Sequence, residues 1–146
     1  MAAVQTAYTS RQPAYVVGQI VNQELHNSTS RTLEDATAVG FGKALFAGTD
    51  DNGVTATPSA LFEGISIRDI TVESAVADTF EEGDEIPLCR LGVIAVAASK
   101  AVDKGDAVYV TSAGLFTDVS TDNTAIVGAT FDATITAAGT VPVRIK

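Results

Sequence analysis

Short apolar runs alternating with glycine-centred turns are the feature that most narrows what this chain can become. From residue 15 onward no stretch sustains the 3.6-residue apolar period of a helix longer than two turns, whereas β-type runs recur at roughly 8–12-residue intervals. The turn signals are explicit: Gly48-Thr49-Asp50-Asp51-Asn52-Gly53, Gly83-Asp84, Gly105-Asp106 and Ser112-Ala113-Gly114. Asn52-Gly53 is the strongest hairpin signal among them, because both residue types tolerate positive φ. The expected fold is all-β: a small β-barrel or sandwich of short antiparallel strands.

Strands are expected at 16–21, 39–46, 54–56, 64–72, 85–89, 92–97, 107–111, 114–117, 125–131 and 140–145. Residues 64–72 alternate, but Ile65, Ile67 and Val72 cannot share one face at period two, so a bulge or bend is expected near Asp69. Residues 22–35 are polar and read as a loop, with Thr32 and Asp35 spaced to cap a short helical turn. Thr57-Pro58 reads as a second such start, leading to one turn through Leu61-Phe62. Residues 1–14 show no periodicity and are expected to form an extended N-terminal arm. Residues 15–146 form a single β-rich domain, and the length suffices for a core without staples.

Charge excludes several function classes. The net charge is −9, from 18 acids against 9 bases, which disfavours contact with phosphates and therefore with nucleic acid or an anionic membrane surface. Eight of the acids lie between Glu63 and Glu85, with Arg68 as the one cation inside that interval, so a strongly negative face or rim is expected. No apolar run approaches the ~20 residues of a membrane-spanning helix. Charged residues are only 18% of the chain, so much neutral surface is expected to be covered by partners.

Chemistry finds few candidates. The lone cysteine, Cys89, sits among Leu88, Leu91 and Val93 and reads as a small buried hydrophobe. The lone histidine, His26, falls in a polar stretch and reads as a solvated loop residue; no Gly-x-Ser-x-Gly elbow accompanies it. One His and one Cys do not make a transition-metal site. Asp50-Asp51-Asn52-Gly53 and Glu81 to Glu85 offer hard oxygens but lack the twelve-residue calcium-loop spacing, so they read as a hairpin turn and a solvated acidic loop. Gly40-Phe41-Gly42-Lys43 lacks the strand–loop–helix setting of a phosphate cradle. Lys100 and Lys104 lack the flanking residues of a lipoyl- or biotinyl-carrier hairpin. No cofactor and no catalytic residue is expected, and the chain does not read as an enzyme.

An ordered series of phrases carries a resemblance. It comprises Ala14 to Gly18 with Gln19-Ile20-Val21; Val39 to Ala44; Phe62 to Asp69; Glu82 to Pro87; Leu91 to Val96; Lys104 to Val110; Gly114 to Thr117; and Ile126 to Phe131. In order and spacing it resembles the structural cement, or decoration, proteins of tailed bacteriophages, over roughly residues 14–146. The resemblance implies a non-enzymatic homo-oligomer, a trimer rather than a dimer, on the outer surface of the virion capsid. Such a protein binds the major capsid protein lattice, bridges neighbouring subunits and stabilises the expanded head. The acidic interval would then face solvent or a basic capsid patch, and the arm would tie adjacent subunits together. Candidate capsid or oligomer contacts are Ala3, Val4, Tyr8, Arg11, Tyr15, Phe62, Arg68, Tyr109 and Phe116. The alternative function is another virion β-module, a fibre or baseplate component binding a host-surface glycan.

Overall fold

The computed structural model describes residues 15–146, which contain strands, turns and loops and no helix. The strands are β1 (Asn27–Leu33), β2 (Val39–Gly40), β3 (Ala44–Ala47), β4 (Gly53–Thr55), β5 (Phe62–Ser66), β6 (Thr79–Phe80), β7 (Glu85–Ala98), β8 (Ala107–Val110), β9 (Phe116–Thr117), β10 (Thr124–Phe131) and β11 (Gly139–Ile145). The fold is all-β, and it closes on itself, which removes the exposed edges that an open sheet would leave.

Closure depends on the 14-residue β7. Its first half pairs antiparallel with β1, from Thr32 opposite Glu85 to Asn27 opposite Leu91, and with β5 at Ile65 opposite Cys89. β1 runs parallel to β4, β4 antiparallel to β3, and β3 antiparallel to β5, which completes a five-strand ring. The second half of β7 pairs with β11, from Ile145 opposite Gly92 to Gly139 opposite Ala98. Pairings β11–β10, β10–β8 and β8–β9 follow, and β9 returns to β7 at Ala98 opposite Phe116. Two small rings therefore share one strand. The β2·β6 ribbon stands apart from both.

Alternation along the strands sorts the core into two clusters. Leu33, Leu45, Val54, Ile86 and Leu88 of the first ring pack with Val39, Phe41 and Phe80 of the ribbon region. Their neighbours on the opposite face, Ala44, Phe46, Ile65 and Cys89, join the apolar residues of the second ring, among them Ile94, Val96, Val110, Phe131, Val141 and Val143. Strands β3 and β7 are thus buried on both faces, which is why their sequences read as near-continuous apolar runs rather than as strict alternation.

Several sequence expectations are corrected. Residues 85–89 and 92–97 form one strand, not two: Arg90 and Leu91 continue it, and Gly92, at φ +120, lets it pass from one ring to the other. A Cβ at Gly92 would lie 2.8 Å from Cβ of His26, so the close approach of the chain leading into β1 also requires glycine. Residues 16–21 are not a ladder strand. They lie along β7 through Gly18 N–H to Ala95 O at 2.8 Å, Val21 N–H to Val93 O at 3.0 Å and the single bridge Ile20–Ile94. The polar run before Leu33 is strand β1 rather than a loop with a helical turn, and no helical turn follows Pro58. The interval 64–72 stops being strand at Ser66; the irregularity comes earlier than Asp69, as a register shift between β3 and β5 at Leu45/Phe46. The hairpin turn between β3 and β4 is where the sequence places it, yet neither Asn52 nor Gly53 has positive φ.

Glycine at position 53 makes room for a neighbouring side chain. A Cβ there would meet Oε1 of Glu34 at 1.7 Å. The Glu34 carboxylate occupies that space and accepts the N–H groups of Thr49 and Asp50 at 2.7 and 2.8 Å, closing the turn from inside.

Candidate interaction surface

The described residues contain no cluster of three or more His, Cys, Asp or Glu side chains positioned as metal ligands. Cys89 is fully buried, and burial raises its thiol pKa to about 11. Its Sγ lies 3.3 Å from the Leu91 carbonyl oxygen, to which the thiol donates. His26 is exposed, its ring nitrogen 3.4 Å from the Glu24 carbonyl oxygen. The concavities are shallow: one is lined by Asp35, Ala36, Thr37, Ala56, Thr57, Pro58 and Ser112, another by Leu25, Leu91, Arg144 and their neighbours. The features left to describe among these residues are those of the exposed surface.

The sequence-derived contact residues fare unevenly. Ala3, Val4, Tyr8 and Arg11 lie outside the described residues. Phe116 is completely buried between β8 and the end of β7 and is a core residue. Phe62 is half-buried, edge-on to Phe46 at a 5.9 Å centroid separation, and most of its surface is spent on the core. Tyr109 on β8 and Tyr15 are half-buried. Arg68 lies over the Phe41 ring at 5.5 Å and pairs with Asp78 at 3.8 Å. Its backbone N–H donates to Gly18 O at 2.8 Å, which brings it beside the segment that follows Tyr15.

The acidic interval divides. Glu63 is not a solvent-facing acid: it is half-buried and lies 3.5 Å from Arg31 and 3.8 Å from Arg90. Glu85 accepts from the hydroxyls of Ser30 and Thr32 across the β1·β7 ladder, and these bonds hold its carboxyl below the usual glutamate range. What remains is a loop. Residues 67–78 leave β5 and return towards β6, their ends joined by the Arg68–Asp78 pair, with Val72 anchored on the first-ring core. Asp69 accepts the Thr71 hydroxyl at 2.6 Å and the Thr71 N–H at 2.9 Å, which lowers its pKa and keeps it ionised. Two apolar side chains on this loop face outward, Ile70 at 80% exposure and Val76 at 57%.

Sequence reasoning missed Ile70 by assigning it to a strand that ends at Ser66. It also missed Leu25, 82% exposed beside β1, and Val127, 90% exposed on β10. Period two carried the signal for Val127: Ile126 is buried, so its neighbour faces out.

One solved structure shares this architecture closely. A chain of the capsid of Myoviridae Phage XM1 superposes with a TM-score of 0.74 at 21% identity, covering 99% of this chain and 98% of that one, and shares the fold. The head fiber gp8.5 N base of bacteriophage phi29 superposes more loosely, with a TM-score of 0.48 at 13% identity over 84% of this chain and 95% of that one. No curated protein matches the chain. The family model described as structural cement protein (E217 gp24/Pam3 gp6) matches residues 4–146, almost the whole length. The chain therefore belongs to the phage structural cement proteins, virion components of the capsid surface.

Proposed function

We propose that this protein binds the outer surface of the major capsid protein lattice as a homotrimer, bridges neighbouring subunits and stabilises the expanded head, without catalysis and without touching the packaged nucleic acid. The observation that carries the reading is the family match across residues 4–146. A compact double ring with its strand edges largely closed supports it, because such a block resists deformation when neighbouring subunits pull on it. The acidic balance supports a protein-facing rather than a phosphate-facing role.

The energetics require no pocket. A clamp that binds the assembled lattice and not its dissociated parts stabilises the lattice by mass action, about 2.7 kcal/mol per site when free clamp stands at roughly a hundredfold its Kd. Several weak contacts per oligomer multiply through effective concentration. The test is addition of purified protein to expanded particles that lack it. We expect ordered density over subunit seams in cryo-electron microscopy and a higher temperature of genome release. Particles that gain neither density nor thermal stability would sink the reading.

A further inference from the structure

We propose that the 67–78 loop is the part of this protein that seats on the capsid lattice, with Ile70 and Val76 entering an apolar depression of a capsid subunit whose rim carries Lys or Arg. The inference rests on the lattice-binding reading above and adds to it the surface that makes the contact and the chemistry of its receptor. Its first support is that the loop is held in place by its own contacts. Its ends are joined by the Arg68–Asp78 pair at 3.8 Å, and Val72 packs on the first-ring core. Between them, Glu81 accepts the Ala75 N–H at 2.6 Å and the Ser74 hydroxyl at 3.1 Å, and the Thr79 hydroxyl donates to the Val76 carbonyl oxygen at 2.7 Å. Asp69 holds Thr71, next to Ile70, through its hydroxyl and its N–H.

On this fixed frame two large aliphatic side chains are presented to water, Ile70 at 80% and Val76 at 57% exposure. A third, Val16 at 47%, stands two residues from Gly18, whose carbonyl oxygen accepts the Arg68 N–H at 2.8 Å. Aliphatic groups exposed singly are ordinary on a protein surface, but several gathered about one loop and rimmed by polar residues mark a contact surface. A loop whose conformation is already set loses little entropy on docking, so its apolar area goes into affinity.

Charge decides what the loop meets. Asp69, Glu73 and Asp78 on it and Glu82 just beyond are of one sign, and Arg68 is engaged by Asp78. These carboxylates repel phosphate, whether in nucleic acid or in an anionic membrane surface. A second copy is a poor receptor as well. Of the eight Lys and Arg side chains at residues 15–146, six stand in ion pairs, leaving Lys43 before β3 and Lys146 after β11. A neighbour of the same −9 charge therefore has no group of free cations among its described residues to set against the loop. The receptor that fits is a different protein, apolar at the centre of the contact and basic at its rim. The capsid lattice is the partner surface on which that chemistry is to be found.

The test uses the full chain and expanded particles that lack it, with bound protein measured after sedimentation over a range of protein concentrations. Two variants change the loop, Ile70→Ser/Val76→Ser and Glu73→Lys. Two controls make matching changes at exposed positions outside it, Leu25→Ser/Val127→Ser and Asp103→Lys. All four alter exposed side chains, and the urea midpoint of each checks its fold. We expect each loop variant to bind at least about tenfold more weakly than the wild type, and both controls to stay within about twofold of it. Loop variants that bind like the wild type overturn the proposal, and so do controls that lose as much as the loop variants. A changed oligomeric state of the free loop variants in analytical ultracentrifugation would assign the loop to a second copy and overturn it too. In each of these results the wild type still binds, so the lattice-binding reading survives; a wild type that fails to bind ends both.

Discussion

At the scale of single residues, two side chains show how local contacts set protonation and reactivity. Glu34 accepts two backbone N–H groups, and these bonds hold its carboxyl below the ordinary value of 4.5. Asp69 and Glu85 are lowered by hydroxyl and, for Asp69, amide donors. A carboxyl lowered on folding contributes stability that is complete above its unfolded value and is lost as pH falls through that value towards the folded one. The unfolding midpoint in urea is therefore expected to be flat near neutrality and to decline as pH drops below about 4.5. Glu34→Gln should lower stability at pH 7 and shallow that acid limb; an unchanged limb would show that the turn does not depend on the charge. The second side chain is Cys89. Buried and with its thiol raised to about 11, it should resist thiol reagents at pH 8 in the folded protein and react fully in denaturant. Rapid native labelling, read by mass, would contradict its place in the core. The sequence announced Cys89 through its apolar neighbours. It could not announce Glu34, because the donors at Thr49 and Asp50 reach it only once the β3–β4 hairpin has formed beside β1.

Among the elements, the legible ones were those whose register is written in side-chain alternation. Strands β8, β10 and β11 fall where Val108/Val110, Ile126/Phe131 and Val141/Val143 place them, within a residue or two. β1 was hidden because its sequence, Asn-Ser-Thr-Ser-Arg-Thr-Leu, buries only Leu33 fully; its ladder with β7 is held by backbone bonds and by hydroxyls reaching Glu85. Polar strands of this kind depend on a partner edge, and no local propensity reveals that edge. The continuity of β7 was hidden for the opposite reason. Arg90-Leu91-Gly92 resembles a turn, yet here glycine serves the passage between rings and the approach of His26. Gly92→Ala is expected to cost about 1–3 kcal/mol, from positive φ and the 2.8 Å contact together. Equilibrium urea unfolding measures it, and His26→Gly in the same background should recover the steric part. A neutral Gly92→Ala would mean that β7 bends without needing glycine.

For the whole molecule, the consequence of two rings on one strand is mechanical and thermodynamic unity. Neither ring can lose β7 without opening, and Phe46, Ile65 and Cys89 of the first ring belong to the same apolar cluster as Val141 and Val143 of the second. A block built this way is expected to transmit load from one side to the other instead of hinging, the property that the proposed clamp across a seam requires. It follows that the protein should unfold in one step. In native-state hydrogen exchange, the slowest amides of Leu88 in the first ring and Val143 in the second are expected to share one opening free energy and one denaturant dependence. Phe46→Ala supplies the sharper test. Removing a fully buried ring from the shared cluster should cost about 3–5 kcal/mol. If the rings are coupled, that loss appears equally at Leu88 and Val143, although Leu88 lies in the other core cluster from Phe46. A loss confined to one of the two amides, with the other still protected as before, would divide the molecule into two independent barrels and remove the rigidity that the proposed clamping role depends on.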